Sequence, residues 1–513
     1  MLLAATVTTL LTAVVYLAAS KRTSGIGFPL DDAWIHQTYA RNLGELGEWA
    51  FIPGTASAGS TAPLWSAWIS LGYFVQLDPF VWTHIAGLAL LALSAWLAAR
   101  WYAVRFPERK HLAWVMAILM PLEWHLAWAS LSGMETLALA AIALLCFYWL
   151  EGRRVGILVV GLVIGLGVWI RPDALTLMIA PIGYLALRDR EKRLREWLRL
   201  GFGIAVPFVP YLAFQRWLSG ELWPNTFFAK QAEYAALREL PLAVRLLTQA
   251  GIPGEWLGAT GLQTGGPIIG VLIVLLPGLI ISIQHYSRSR QWAQLIPLVW
   301  VGLYLAIYAI RLPVTYQHGR YAIPVIPVLL VLSFEGMLRR IWLRSQVART
   351  RILSRAWVLL VAISSLTFWL IGAGAYGRDV AIIQSEMVTT ARWIEDNTPS
   401  DAVVAAHDIG AIGYFANREL IDLAGLISPE VIPIIRDESA LARHLDDSGA
   451  EYLVTFPGWY PELTAGKSPI FATGALHSPA AGGENMAVYA WNRSSFAPCA
   501  GCAILAAILA REG

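Results

Sequence analysis

The sequence predicts an α-helical polytopic membrane protein of about eleven transmembrane helices, with a long first outer loop carrying interfacial helices and a small carboxy-terminal α/β domain outside the membrane. Three observations carry that prediction. Of the 513 residues, 57% are hydrophobic and only 14% charged, whereas soluble domains carry about 25% charged residues. Apolar runs approaching the roughly twenty residues needed to cross a bilayer recur through the first 375 positions. Beyond 376 the composition changes to mixed charge, with helical and strand-like runs alternating. The net charge of +3 is small, and the basic residues sort by side of the membrane rather than gathering in one patch, which excludes a nucleic-acid partner.

Spans are read near 1–19, 81–100, 112–130, 137–150, 155–170, 174–187, 200–218, 264–284, 292–310, 321–338 and 356–375. With the amino terminus inside, the short inner loops 100–111, 151–154, 188–199, 285–290 and 339–355 hold 20 of the 38 Lys and Arg residues, the asymmetry that the positive-inside rule demands. Lys21 and Arg22, just past the first span, go against it locally. Residues 1–19 lack the basic segment that opens a signal peptide, so they are read as an uncleaved span. An odd number of spans places 20–80, 131–136, 171–173, 219–263, 311–320 and 376–513 on the outer face, and every polar cluster of interest falls there.

The first outer loop, 20–80, is too long for a simple connector. Ala33 to Leu43 has the apolar spacing of a helix lying along the interface, and the Gly/Ser/Thr-rich run from Pro53 to Pro63 reads as a polar turn region open to hydrogen bonding. A transmembrane catalytic domain is expected over 1–375, with a second large outer loop at 219–263, then an outer α/β domain over 376–493 and a tail over 494–513. Within the outer domain, Met387–Ile394 looks helical, while Ala402–Ala406, Glu451–Phe456 and Met486–Trp491 look like strands. Cys146 reads as a core residue; Cys499 and Cys502 form an isolated C-x-x-C without the second pair or His cluster of a metal site.

Charge at a membrane boundary is costly unless paired or functional. Asp31 and Asp32 follow Pro29 and precede a helical pattern. A helix cap needs one carboxylate, which leaves the other as a candidate general base. Glu135 and Asp173 stand before later spans as caps or site acids, and Arg171 either snorkels to headgroups or serves the site. Lys230, His318 and Arg320 are candidates to neutralise a lipid phosphate. His407-Asp408 reads as a turn at a strand end. No P-loop, G-x-S-x-G, H-E-x-x-H or dinucleotide-binding glycine pattern occurs. Few charges lie in the middles of the spans, which argues against an ion-coupled transporter.

Asp31-Asp-Ala-Trp-Ile-His36, Tyr39-Ala-Arg-Asn-Leu43 and Gly59-Ser-Thr-Ala-Pro-Leu-Trp65 resemble the acidic-pair region of GT-C polytopic glycosyltransferases of the protein mannosyltransferase and aminoarabinose transferase group. They are also similar to the mycobacterial terminal arabinofuranosyltransferases. Ser132-Gly-Met-Glu-Thr136, Arg171-Pro-Asp173, Pro224-Asn-Thr-Phe-Phe-Ala-Lys230, Gly319-Arg-Tyr-Ala-Ile-Pro324, His407-Asp-Ile-Gly-Ala-Ile-Gly-Tyr414 and Ile421-Asp-Leu-Ala-Gly-Leu426 fit the same pattern. The resemblance implies an enzyme of the bacterial cytoplasmic membrane, working at its outer face. Its donor is a polyprenyl-phosphate sugar, its acceptor a hydroxyl on a glycan, lipid or protein, and its product an inverted glycoside. It carries the base onto Asp31, with Asp32 as cap or second acceptor contact. Arg171, Lys230, His318 and Arg320 become phosphate candidates, and His36, Glu135, Asp173, Asn225 and Tyr321 sugar or acceptor contacts. With one phosphate on the donor no metal cofactor is required, although a divalent metal is compatible with the family. A transporter or flippase of lipid-linked saccharides, or a non-enzymatic envelope scaffold, is the alternative reading.

Overall fold

The structure, a computed structural model, describes residues 1–188, 193–253, 270–341, 343 and 345–491. Cys499, Cys502 and the expected tail lie outside the described residues, as does the start of the expected span at 264–284. The chain forms two compact units, neither continuous in sequence. The first comprises Met1–Ala19, Thr83–Ala213 and Ala236–Ala375; the second comprises Ser20–Trp82, Phe214–Ala235 and Tyr376–Gly513.

Among the described residues, six helices are long and apolar enough to cross a membrane: Leu2–Thr23, Pro79–Arg105, Leu194–Ser219, Trp292–Arg311, Tyr316–Leu338 and Ala348–Asn397. This is a multi-pass membrane protein. A seventh span results if Pro107–Leu122 and Trp124–Ser130, bent by 63°, count as one. The break has a local cause: Pro121 ends the first helix, and Glu123, extended at φ −74° and ψ 118°, caps the second by accepting the Leu126 N–H at 3.0 Å. Of the eleven expected positions, these seven reach spanning length by length and composition. The other four expected positions hold the shorter apolar helices Thr136–Gly152, Ile157–Gly167, Pro172–Leu187 and Leu272–Arg288. At about 1.5 Å per residue they fall short of a hydrocarbon core about 30 Å thick. Apolar composition extends past their ends; regular helix does not, because turns and 3₁₀ segments such as Pro172–Met178 interrupt it.

In the first unit the helices Leu272–Arg288 and Ile326–Leu338 meet backbone to backbone. A Cβ placed on Gly278 would lie 1.9 Å from the Ser333 carbonyl oxygen, and one on Gly336 would lie 1.8 Å from that of Gly278. Small residues permit this approach where lipid offers no hydrophobic drive, and the Ser282 hydroxyl adds a 2.8 Å bond to the Leu332 carbonyl. Near the ends of these helices lies a buried charge network. Arg105 donates to Glu335 at 2.8 Å and to Glu151 at 2.5 Å, Arg339 donates to Glu335 at 2.6 Å, and the Tyr184 and Tyr286 hydroxyls donate to Glu151 and Glu335. Each buried charge thus has an opposite partner, the condition under which it is tolerated.

The second unit carries the β-structure. Strands β1 (Ala50–Ile52) and β2 (Thr55–Ala56) form a hairpin turned at Gly54, whose φ of +81° suits glycine. Strands β3 (Val403–Ala406), β4 (Glu419–Asp422), β5 (Tyr452–Thr455), β6 (Phe471–Ala472) and β7 (Ala487–Ala490) make a mixed sheet of order β4-β3-β5-β7-β6. The β4, β3 and β5 strands run parallel, while β7 is antiparallel to its neighbours. Leu423, Val431, Leu441, Leu445, Leu453 and Trp491 form the core of this region. The runs at 402–406, 451–456 and 486–491 contain β3, β5 and β7; β4 and β6 lie outside them, and β6, at two residues, is too short to show alternation.

The helix expected after the acidic pair runs from Asp32 to Leu46. It is buried at every position from Ala33 to Ala40, packed against Pro63–Phe74 and Gly410–Phe415. Interface residence predicts one exposed apolar-facing side, so this helix is a core element of its unit instead. The 53–63 run is likewise internally bonded: the Tyr39 hydroxyl meets Ser57 Oγ at 2.6 Å and accepts the Gly59 N–H at 2.9 Å.

Replacing Gly336 with Val is expected to lower the thermal midpoint of the detergent-solubilised protein, at a cost of about 1–3 kcal/mol or more from overpacking. Gly302→Ala, where an added Cβ meets nothing within 4 Å, is expected to leave the midpoint unchanged.

Candidate functional site

In the second unit the two adjacent acids have different environments. Asp31 occupies the N-cap position of Asp32–Leu46 but makes no side-chain cap bond. Its carboxylate instead accepts the backbone N–H groups of Gly410, at 2.7 Å, and Ala411, at 2.8 Å. These are opening N–H groups of the turn of helix that follows β3, which have no intrahelical acceptor. Position 410 must be glycine, because a Cβ there would lie 2.0 Å from the Asp31 carbonyl oxygen. Burial, and then the charge of Asp408, push the Asp31 carboxyl up to about 8, against the pull of the two N–H donors.

Asp32 keeps 25% of its side chain exposed, and its Oδ1 lies 3.7 Å from Lys230 Nζ. Lys230 is carried by Asn225–Glu233, a helix pinned at its start by Asn225 Nδ2 donating to the Leu426 carbonyl at 3.1 Å and Thr226 Oγ1 donating to that of Gly59 at 3.2 Å. One turn on, Glu233 Oε1 lies 3.4 Å from His407 Nε2, and His407 Nδ1 is 2.7 Å from the Tyr460 hydroxyl. Burial works against the imidazolium, yet the Glu233, Asp408 and Asp422 carboxylates raise His407 above its usual value. Asp408 is pushed up to about 6, chiefly by burial, and among the described residues its enclosed Oδ2 meets no hydrogen-bond partner. Burial also takes Asp422 to about 6, although its carboxylate accepts the N–H groups of Ala424, Leu426 and Ile427. His36 is turned inward, its Nδ1 2.9 Å from Ser66 Oγ.

In the first unit Arg171 is the hub. It donates to both Asp173 oxygens from Nε and Nη2, to Glu135 at 3.0 Å from Nη1, and to the Tyr308 hydroxyl at 2.8 Å from Nη2. Tyr304 and Tyr308 donate in turn to Asp173 at 2.8 and 2.5 Å. Glu135 sits at the N-cap position of Thr136–Gly152 without making a cap bond, and Arg171 is buried rather than snorkelling. Tyr321 stacks on Tyr308 with ring centroids 5.3 Å apart, and the Arg320 guanidinium lies over the Tyr321 ring at 5.0 Å and the Tyr316 ring at 5.5 Å. His318 packs edge-on to Trp124 and Trp128. Gln317, His318 and Gly319 take left-handed backbone angles in succession, with φ of 53°, 60° and 65°. Non-glycine residues adopt these singly at most without surrounding support.

Solved structures match this chain over most of its length, two of them as follows. ArnT from Cupriavidus metallidurans bound to undecaprenyl phosphate is 13% identical, with 96% of this chain and 99% of that one covered at a TM-score of 0.55. The Archaeoglobus fulgidus oligosaccharyltransferase in the apo form is also 13% identical, with 88% and 69% covered at 0.56. These neighbours are GT-C glycosyltransferases, and this chain shares their fold. A family model described as a domain of unknown function (DUF8728) matches residues 379–489. No curated protein is similar to the chain by sequence.

Within this fold, the residues singled out from sequence fall into two groups. The second unit brings Asp32 and Lys230 together and gives Asp31, His36 and Asn225 bonds inside the unit. The first unit assembles Glu135, Arg171 and Asp173, with Tyr321 stacked on Tyr308 and Arg320 over Tyr321. Sequence reasoning did not single out Glu233, Tyr460, Tyr304 or Tyr308. Glu233 carried one signal, its i, i+3 spacing from Lys230. Among the described residues no three His, Cys, Asp or Glu side chains come together in a way that would hold a metal ion.

The raised carboxyls give a pH dependence with a definite sign. Asp31 near 8 and Asp408 and Asp422 near 6 bind protons in the folded state that the unfolded chain, titrating near 4, releases. Stability is therefore greatest at the acid end and is lost as pH rises through these values. The thermal midpoint is expected to fall between about pH 5 and 8, and the fall to be shallower in Asp408→Asn.

Proposed function

We propose that this protein is a GT-C glycosyltransferase that moves a sugar from a polyprenyl-phosphate-linked donor to an acceptor hydroxyl, with inversion, at the outer face of a bacterial cytoplasmic membrane. What carries the reading is the fold together with the Asp32–Lys230 pair. The ArnT structure that it resembles holds undecaprenyl phosphate, which supports a lipid-phosphate donor here.

We assign the base to Asp32 rather than to Asp31, the residue that the sequence pattern suggested. Both oxygens of Asp31 accept backbone N–H groups, and burial and Asp408 hold its carboxyl up towards the protonated form. Asp32 is partly exposed beside an ammonium, and a neighbouring positive charge favours the ionised carboxylate. In the proposed step the acceptor O–H proton passes to the Asp32 carboxylate as the acceptor oxygen attacks the anomeric carbon. The bond from that carbon to the phosphate oxygen breaks, and its electron pair leaves with polyprenyl phosphate. Lys230 is assigned to holding Asp32 ionised. Arg171, most of whose donors are taken by Asp173, Glu135 and Tyr308, is assigned to holding the first unit together. Arg320 and His318 remain the candidates in that unit for an anionic head group.

In proteoliposomes supplied with polyprenyl-phosphate sugars, Asp32→Asn is expected to lower the rate of glycosidic bond formation by about 10²–10⁴-fold, the usual worth of a general base. The thermal midpoint should stay near that of the wild type. Full retained transfer would overturn the assignment. Movement of the lipid-linked sugar across the bilayer without bond formation would favour a flippase instead.

A further inference from the structure

Lys230 and Glu233 stand one turn apart on Asn225–Glu233, a spacing at which ammonium and carboxylate attract each other. Each nevertheless has a different partner: Lys230 Nζ lies 3.7 Å from Asp32, and Glu233 Oε1 lies 3.4 Å from His407 Nε2. The His407 ring is anchored from its other side. Its Nδ1 is 2.7 Å from the Tyr460 hydroxyl, and the Trp459 ring meets it edge-on with centroids 5.0 Å apart. With the ring fixed at Tyr460 and Trp459, Glu233 is the partner that adjusts, and the direction in which it is drawn decides how much of the Lys230 charge reaches Asp32.

We propose that His407 is a positioning residue: as an imidazolium it draws Glu233 away from Lys230, and so commits the Lys230 ammonium to Asp32. The inference rests on the reading of Asp32 as the base. The groups facing His407 are Glu233 from the helix, Asp408 from its own loop, Asp422 from the end of β4, and Tyr460. Those facing Glu233 are His407, Lys230 and Tyr234, while Arg436 donates to its main-chain carbonyl. Three carboxylates thus surround one imidazole, and they hold its proton although burial opposes the charge. The same imidazole and Lys230 hold Glu233 below its usual value, again against burial. An imidazolium suits both contacts, since Nε2–H then donates to Glu233 and Nδ1–H to the Tyr460 oxygen. When the proton is lost, Glu233 is left with Lys230 and Tyr234, and the Lys230 ammonium is drawn towards Glu233 as well as towards Asp32.

The test is the pH–rate profile of sugar transfer by the full-length protein in nanodiscs, compared among wild type, His407→Ala, His407→Gln and the double variant His407→Ala/Glu233→Gln. In His407→Ala, kcat is expected to fall about tenfold with the acceptor KM little changed, and the acid limb to move up by about one pH unit. His407→Gln keeps a neutral N–H towards Glu233 and should move the limb in the same direction, which covers the case where the alanine variant folds poorly. The double variant lacks the Glu233 carboxylate as a competitor for Lys230, so it should recover most of the lost kcat and return the limb. A purely structural role for His407 would leave the limb in place and gain nothing from the second substitution. An unmoved limb in both single variants, or a double variant no better than His407→Ala, overturns the inference while an inactive Asp32→Asn still supports the base. Full activity in Asp32→Asn overturns the base assignment, and this inference with it.

Discussion

The carboxylate of Asp31 on the backbone of Gly410 and Ala411 is the interaction on which the second unit depends. It links residues 379 and 380 positions apart in sequence, and joins the loop after the first hydrophobic helix to the turn that follows β3. Two opening helical N–H groups and one buried carboxyl satisfy each other, so neither is left as an unpaired polar group in the interior. The turn is thereby held with His407 and Asp408 beside the start of Asp32–Leu46. The close approach also explains why glycine stands at 410, since any side chain would collide with the Asp31 main chain.

That bond also divides the labour between neighbours. Two successive carboxylates on the first turn of a helix point in different directions. One is therefore absorbed by backbone while the other meets Lys230. The helix that bears Lys230 is itself tied to Gly59 and Leu426 through Thr226 and Asn225. The ammonium consequently comes from a fixed element rather than from a wandering loop, and this is what makes the charge of a partly exposed pair consequential. Isolated surface pairs contribute little, whereas here the helix that carries the ammonium is pinned at its start.

The first unit solves a different problem, that of keeping charge in an apolar bundle. Arg105 with Glu151 and Glu335, and Arg171 with Glu135 and Asp173, are both closed networks in which each ion meets its opposite. Tyrosine hydroxyls fill further acceptor positions in each. Removing one member would strand its partners, which is the costly way to break such a network. Chemistry by Arg171 would require its carboxylates to let go. Arg320 is flanked by tyrosine rings, next to the left-handed turn at Gln317–Gly319, and donates to the Tyr321 hydroxyl.

What the sequence by itself determined was the membrane class, the positions of the apolar helices, the acidic pair and the three strands β3, β5 and β7. These are local properties: composition, hydrophobic period and the placement of charge at the ends of apolar runs can be read within a window of one element. The span lengths were only partly legible, because hydropathy continues through turns such as that at Pro172 where helix geometry stops. Only tertiary structure decided which of Asp31 and Asp32 is consumed, that Glu135 serves Arg171 rather than its own helix, that Asp32–Leu46 is a core helix, and that His407 belongs to a charge cluster. Each of those depends on a partner between 36 and 380 residues away, or on enclosure from several sides. The physical reason is that a carboxylate's role is set by which donor lies within about 3 Å, and no local pattern of residues carries that distance.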